Sequence, residues 1–454
     1  MTDVLSITFI ILILAEKYII YHIGFQLSFM VTFALLLSKN WLMNSNSLFM
    51  QTLQISFVSQ MMIIPLQFSY FSMLQPLSIL LNVFVVPYFS LFAIPLMYVL
   101  LPLSVLPKTL LKIIDTMFVN VHYAVINFVR WVDGIADYPF MISSVSLIFT
   151  ILYFIIFFAF MDQLIRQKLQ QSFMIGIFLP ILICVVALRP YLSPIGTVTM
   201  LDIGQGDAFV IELPYRKGVI MIDAGARFNF DDMQATNSNA EQIIKPFLYS
   251  RGIKKIDALI LTHEDIDHVG SVAYMAGDLE IENIIVSDYY QLTDENIRLL
   301  RAYDIRIKRV KRDDSIVIQE QKFHVIAPNN NYHSGNENSL VLYTKMGGKS
   351  WLFTGDIGKA QEKEIVKTYP NLTADVLKVA HHGSSTSSDR EFLQQLNPHI
   401  GLISAGANNM YGHPTSEVLD ALTAEGINIL RTDINGAVQY RFKGSRGIFY
   451  THLP

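Results

Sequence analysis

The sequence predicts two regions of different class: a bundle of membrane helices, then an α/β domain folded as an αββα sandwich. Three observations predict it. Up to about Ala187 the chain is dominated by Leu, Ile, Phe, Val and Met, and holds only seven of its 34 Lys and Arg residues (Lys17, Lys39, Lys108, Lys112, Arg130, Arg166, Lys168), as a lipid-facing region requires. Apolar runs recur there at about 4–20, 22–38, 50–71, 77–104, 142–161 and 172–188, each near the length that crosses ~30 Å of hydrocarbon. Beyond residue 189, short strands repeatedly end in loops rich in His and Asp, with helical stretches between them. The expected division is therefore 1–189 and 190–454.

Within the first region, Glu16 and Lys17 blur the end of the first run, and Pro87 and Pro95 are expected to kink or split the fourth. Residues 108–138 are apolar at helical spacing with Asp115, Arg130 and Asp133 interspersed. That pattern reads as an amphipathic helix at the membrane interface. The loop 161–171 is short and net positive through Arg166 and Lys168, so it prefers the cytoplasm. The last run then delivers everything after Arg189 to the outside. Arg189-Pro-Tyr-Leu-Ser-Pro194 reads as the linker. The single Cys184 excludes an intrachain disulfide. The net charge of −4 argues neither for nor against a polyanionic partner.

The second region is organised around Leu261-Thr-His-Glu-Asp-Ile-Asp-His-Val-Gly270, which places His263, Asp265, Asp267 and His268 directly after a strand at 256–262. Carboxylates this dense repel one another unless a cation sits among them. Two imidazoles and two carboxylates suit a divalent ion such as zinc or manganese. In chain order, strands are expected at 197–203 and 208–212 around a tight Gly204-Gln-Gly-Asp207 turn, and at 218–225 ending in Asp223-Ala-Gly. A polar loop over the site follows at 229–239, then an amphipathic helix at 240–250. A strand at 284–288 and a helix at 294–303 lead to the basic run Arg306–Arg312. That run is either a solvated sheet-edge strand or a stripe that tracks phosphates. Residues 338–343 and 350–354 form a hairpin whose second strand ends in Gly355-Asp356. Val376–Ala380 is a strand ending in His381-His382-Gly383. Neighbouring residues at a strand end point to opposite faces, so one histidine is expected on the metal and the other on a phosphate or a proton. The working assignment puts His381 on the metal and His382 in catalysis, with the reverse open. His413, just before a helix, is placed to contact phosphate or move a proton.

The run from Thr262 to Gly270 resembles the metal loop of the metallo-β-lactamase superfamily, H-x-H-x-D-H, with Asp265 in place of the second His. Its T-H-x-D-x-D-H-x-G form is similar to the competence-protein branch. Gly204–Ala208, His381–Ser384 and Tyr411–Pro414 resemble further motifs of that branch. Gly24-Phe-Gln-Leu-Ser-Phe29 and Leu81–Pro87 resemble membrane segments of the ComEC/Rec2 family, the DNA-uptake channels of transformable bacteria. The resemblance implies a metallo-β-lactamase-like sandwich holding one or two Mn or Zn ions through His263, Asp265, Asp267, His268, Asp356 and His381. Asp356 would bridge two ions, and Asp207 and Asp223 would support the loop from behind. Asn338-Ser339 stands where many relatives carry a further His. Asp267, His382 and His413 would carry the chemistry. The implied activity is phosphodiester hydrolysis outside the cytoplasmic membrane, degrading one DNA strand while the other passes inward as single-stranded DNA. Other competence-machinery proteins and copies of the chain are the implied partners. Family members carry a further N-terminal soluble domain and more membrane segments, so the chain corresponds to their C-terminal portion. Two alternatives are a membrane-anchored hydrolase of small esters, lactones or thioesters, and a DNA conduit without turnover.

Overall fold

Among the described residues, four helices are long and apolar enough to cross a membrane: Leu48–Tyr70, Ser78–Leu100, Leu147–Ile165 and Leu169–Leu192. They belong to a computed structural model that describes residues 2–44, 47–102, 108–135, 140–229 and 234–453. The chain divides into two units, Met1–Ala187 with Tyr249–Gly252, and Leu188–Leu248 with Ile253–Pro454.

Six crossings were expected, and the first two apolar runs form shorter helices, Thr2–Ala15 and Ile23–Leu37. At ~1.5 Å per residue neither reaches the ~30 Å of a hydrocarbon core. The first stops where Glu16-Lys17 begins. The prolines of the fourth run act differently from one another. Pro87 closes an α-helix that continues as a π-helical turn, Tyr88–Ala93, while Pro95 opens the following helix, Ile94–Leu100. The interfacial segment is one helix, Lys108–Ile135, and residues 136–138 lie outside the described ones. The expected loop at 161–171 shrinks to Arg166–Lys168, because one helix runs on to Ile165, where an exposed Asp162–Arg166 ion pair of 2.9 Å lies on its last turn, and the next begins at Leu169. The expected linker is shorter too. The last helix runs through Pro190 to Leu192; in a final turn, proline removes one intrahelical bond without ending the helix. The core of this unit includes Val58, Phe68, Phe149, Tyr153 and Phe157, and the Tyr153 hydroxyl donates to the Met61 carbonyl at 2.7 Å.

The second unit is an αββα sandwich. Its first sheet has eight strands in the order 306–310, 283–287, 258–260, 219–222, 209–212, 196–200, 438–443 and 446–451; the first four run parallel and the rest antiparallel. The second has seven, in the order 315–318, 321–327, 341–346, 349–353, 376–378, 400–403 and 428–431, parallel from 349–353 onward. Alternating apolar residues of both sheets interlock, Val198, Phe209 and Ile260 from one with Phe323, Leu342, Trp351 and Phe353 from the other. Each such side chain contributes roughly 1.5–3 kcal/mol on burial. Helices Lys359–Thr368, Arg390–Leu396 and Ser416–Ala424 cover the outside of the second sheet through Ile365, Phe392, Val418 and Leu422.

Two local readings change. The tight turn at 204–207 is a longer loop, because the flanking strands end at Met200 and resume at Phe209. The polar stretch at 229–239 begins in a small antiparallel pairing of Phe228–Asn229 with Gln234–Ala235, and residues 230–233 lie outside the described ones. The basic run is the edge strand of the first sheet, exposed from Arg306 to Arg309.

Candidate metal centre

Every side chain of the centre leaves the C-terminal end of a parallel strand, where open α/β sheets place their sites. Asp223 follows 219–222, the His263–His268 loop follows 258–260, Asp356 follows 349–353, and His382 follows 376–378. The metal loop is held from below by the 201–208 loop. The Asp207 amide donates to the Asp267 carbonyl at 3.0 Å, and the Ala224 amide donates to that of His268 at 2.7 Å. This approach explains two glycines: a Cβ at Gly206 or Gly225 would stand 2.3 or 1.9 Å from the Asp267 carbonyl oxygen, inside contact distance.

Asp267, His268, Asp356 and His382 each present one ligand atom, all within 4.8 Å of one another. His268 Nε2 lies 3.3 Å from His382 Nε2 and 3.3 Å from Asp356 Oδ2. His382 Nε2 lies 3.3 Å from both Asp267 Oδ2 and Asp356 Oδ2. The far nitrogens are committed. His268 Nδ1 donates to Asp223 Oδ2 at 2.8 Å, and His382 Nδ1 donates to the Ser404 carbonyl at 2.9 Å. Asp223 also accepts from the amide and hydroxyl of Thr262, at 2.8 and 2.7 Å. With both Nδ1 atoms acting as donors, both Nε2 lone pairs and two carboxylates face one point. Such a set requires positive charge at its centre, and it fits a divalent ion.

Without an ion, protons supply that charge. Burial opposes protonation of His268 and His382, yet the carboxylates around them together outweigh it, Asp356 and Asp223 at His268 and Asp356, Asp267 and Asp207 at His382, so His268 is raised well above its ordinary value and His382 is pushed up to about 9. Burial likewise works against ionised Asp267 and Asp356, and the two imidazoles overcome it, holding both carboxyls well below the usual range.

The other expected residues take distinct places. His263 is buried against Thr262 Oγ1 at 3.1 Å and Ser339 Oγ at 3.3 Å; its Nε2 has no hydrogen-bond partner among the described residues and lies 3.6 Å from Asp265 Oδ2. Asp265 is exposed. His381, expected on the metal, sits at the rim with Nε2 4.0 Å from Asp356 Oδ2 and Nδ1 3.2 Å from Thr386 Oγ1. His382, expected in proton transfer, is the histidine inside the cluster. Both histidines have positive φ, so the strand-alternation argument does not govern them. The His413 ring centre is 5.9 Å from that of His381. Asn338 is buried away from the cluster, accepting the Tyr332 amide at 2.8 Å. Its neighbour Ser339 is the residue that reaches the site, contacting His263 and accepting the Asp356 amide at 3.0 Å.

Lys378 was not foreseen. Its buried ammonium lies 2.5 Å from Asp207 Oδ2, 3.3 Å from Asp356 Oδ1 and 3.0 Å from the Gly355 carbonyl. A lysine between apolar neighbours in a core strand signals such a pairing, because an unpaired buried charge is prohibitively costly. Ser404 and Thr262 carried no comparable signal.

Comparison with known proteins agrees with this architecture. The competence-protein family matches residues 1–167, and the metallo-β-lactamase superfamily matches residues 201–407. ComE operon protein 3 of Bacillus subtilis is 32% identical over 466 residues, covering 99% of this chain and 59% of that protein. Competence protein ComA of Neisseria gonorrhoeae is 31% identical over 261 residues, covering 56% of this chain and 34% of its own length. Recombination protein 2 of Haemophilus influenzae is 29% identical over 265 residues, covering 58% and 31%. The sandwich, with its cluster at strand ends, is thus similar to the metallo-β-lactamase superfamily, and the helical region that precedes it is similar to competence proteins. Along nearly its whole length the chain is similar to ComE operon protein 3, a protein longer than itself. It spans less than two thirds of the length of these relatives.

Proposed function

We propose that the sandwich is a metal-dependent phosphodiesterase acting on DNA outside the cytoplasmic membrane. In this reading it degrades the strand that is not transported, while the membrane region passes single-stranded DNA alongside other competence-machinery proteins. The observation that carries the reading is the convergence of Asp267, His268, Asp356 and His382 on one point, with both Nε2 lone pairs directed there. These four residues would hold a first ion. His263 and Asp265, with Asp356, would offer a weaker second site, since Ser339 supplies a hydroxyl where an imidazole would complete it. When bound, a divalent ion supplies Lewis acidity, which acidifies water and offsets charge on a phosphoryl oxygen. Asp223 and Ser404 fix the two imidazole rings. Asp267, the most open of the four with its side chain 34% exposed, is placed to orient an attacking water. His413 and His381 stand at the rim, within reach of a leaving-group proton.

The competence region in the same chain supports DNA as substrate. The basic edge strand supports it less than its composition suggests. Arg309 donates to the carbonyls of Ser287, Asp288 and Tyr290, Arg306 pairs with Glu282, and Arg312 pairs with Glu364. Lys308 and Lys311 have no ion-pair partner among the described residues. One observation favours the small-molecule alternative: an apolar cavity of about 730 Å³ lies behind the metal loop, lined by Ile266, Val269, Leu292 and Leu299. None of the ligand side chains lines it, so the DNA reading stands ahead.

The deciding assay gives the purified protein manganese or zinc with labelled single- and double-stranded DNA. Cleavage that stops on chelation supports the proposal; metal retention with no cleavage under any divalent ion points to a passive conduit. Metal affinity should also rise with pH. To hold an ion, His268 and His382 would have to give up their Nε2 protons, and the carboxylates around His382 push it up from the ordinary 6.5 to about 9. Binding measured at pH 6, 7, 8 and 9 should therefore tighten stepwise and release protons. In the metal-free protein the sign reverses: the imidazolium–carboxylate contribution is complete below about 6.5 and lost as the pH rises through about 9. A flat affinity profile would contradict the ligand assignment.

The orientation is part of the same reading. Arg166 and Lys168 occupy the short connection between the last two long helices, and the positive-inside preference puts that connection in the cytoplasm. A reporter active only in the cytoplasm, fused at the C-terminus, should stay silent. A strong signal would reverse the topology and remove the uptake reading with it.

A further inference from the structure

Beside the metal centre, the turn 409–413 presents two large exposed side chains, Met410 at 69% and Tyr411 at 56% exposure. The turn is firmly built. The Asn409 side chain bonds the His413 backbone from both sides, accepting its amide at 3.1 Å and donating to its carbonyl. The Gly412 amide closes the turn onto the Asn409 carbonyl at 3.3 Å, with Gly412 at φ +66°, a conformation glycine adopts without strain. The turn is also fixed to the metal-binding turn. The Thr415 amide donates to the Gly383 carbonyl at 3.0 Å, and Pro414 packs so closely on Gly383 that a Cβ there would lie 2.5 Å from Pro414 Cβ. The Tyr411 ring stacks on His413, with centroids 6.1 Å apart and planes 19° apart. From the cluster outward the order is therefore Asp356, His381, His413, Tyr411.

We propose that Tyr411 is a stacking platform for one nucleobase of a single-stranded substrate, positioning the adjoining phosphodiester at the metal centre without reading sequence. The proposal rests on the phosphodiesterase reading above. An aromatic ring held against a second ring and otherwise open to solvent offers the flat apolar face that unpaired bases seek. Every base has such a face, so the contact is sequence-tolerant. A duplex buries its base faces, so this platform favours single strands. Tyr411 is a positioning residue: it touches the base, and the reacting phosphate lies farther in.

The test uses the full chain in nanodiscs with manganese and two substrates of equal length and charge, an oligodeoxynucleotide and its abasic counterpart. Wild type should cleave the base-bearing strand about 10-fold or more better, mainly through KM, given the strength of base–aromatic stacking. Tyr411→Ala should lose that preference with metal content unchanged, and Tyr411→Trp should restore it. Quenching of a 2-aminopurine base on binding, without metal, reports stacking apart from hydrolysis. Tyr411→Ala that cleaves and quenches like wild type overturns the proposal. Tyr411-dependent quenching with no cleavage under any ion supports the platform and removes the phosphodiesterase reading instead. Neither cleavage nor Tyr411-dependent quenching removes both.

Discussion

His382→Ala is expected to strip the protein of tightly held divalent ion and of any hydrolysis with it, whereas His381→Ala is expected to retain the ion. The difference follows from placement. His382 Nε2 shares the point where His268, Asp267 and Asp356 converge, while His381 reaches no closer than 4.0 Å to Asp356. Asp267→Ala should behave like His382→Ala, since it leaves three ligands and removes the group most open to water. Asp223→Ala should lose less, roughly 10–100-fold in affinity, because it holds a ligand without being one. Metal retained after desalting and counted per chain measures all four, with circular dichroism to show that the fold persists. If His381→Ala loses the ion and His382→Ala keeps it, the two roles are exchanged and the centre lies nearer the rim.

Lys378→Met should destabilise the metal-free sandwich by about 3–5 kcal/mol, the usual consequence of removing one partner from a buried charge pair. Methionine roughly preserves volume, so the effect isolates charge. Asp207 and Asp356, both buried, would lose the ammonium that lies 2.5 and 3.3 Å from them. Excess manganese should recover part of the loss by binding only the folded form. Thermal unfolding followed by tryptophan fluorescence, with and without chelator, measures both, since Trp351 is buried in the sheet–sheet core. An unchanged midpoint in chelator would mean that the carboxylates find compensation elsewhere.

These two residues also show what the sequence reveals and what it hides. Candidate ligands packed into six positions, His263 to His268, announce themselves, because no ordinary turn tolerates that density of like charge. The sandwich is legible for a related reason: strands that stop abruptly on polar groups recur along the region. Lys378 is hidden because a lone lysine is ordinarily solvated, and only the apolar residues on both sides betray its burial. The division between His381 and His382 is hidden because alternation presumes extended backbone, and both residues have left-handed φ values of +50° and +53°. Among the membrane helices, hydropathy locates the apolar runs well. It does not fix their ends: one helix runs on to Ile165, and the next begins at Leu169.

The distribution of the centre along the chain has a consequence for its biogenesis. Asp223, Asp267 and His268 come from the first half of the sandwich sequence, Asp356 and His382 from the second, and the carbonyl that orients His382 belongs to Ser404. A ribosome makes the apolar helices first and these groups last. Until Ser404 has been made, the growing chain lacks the carbonyl that holds the His382 ring in place. The centre is therefore completed only after the apolar helices of residues 1–192 have been synthesised, and a chain halted before residue 404 lacks part of it.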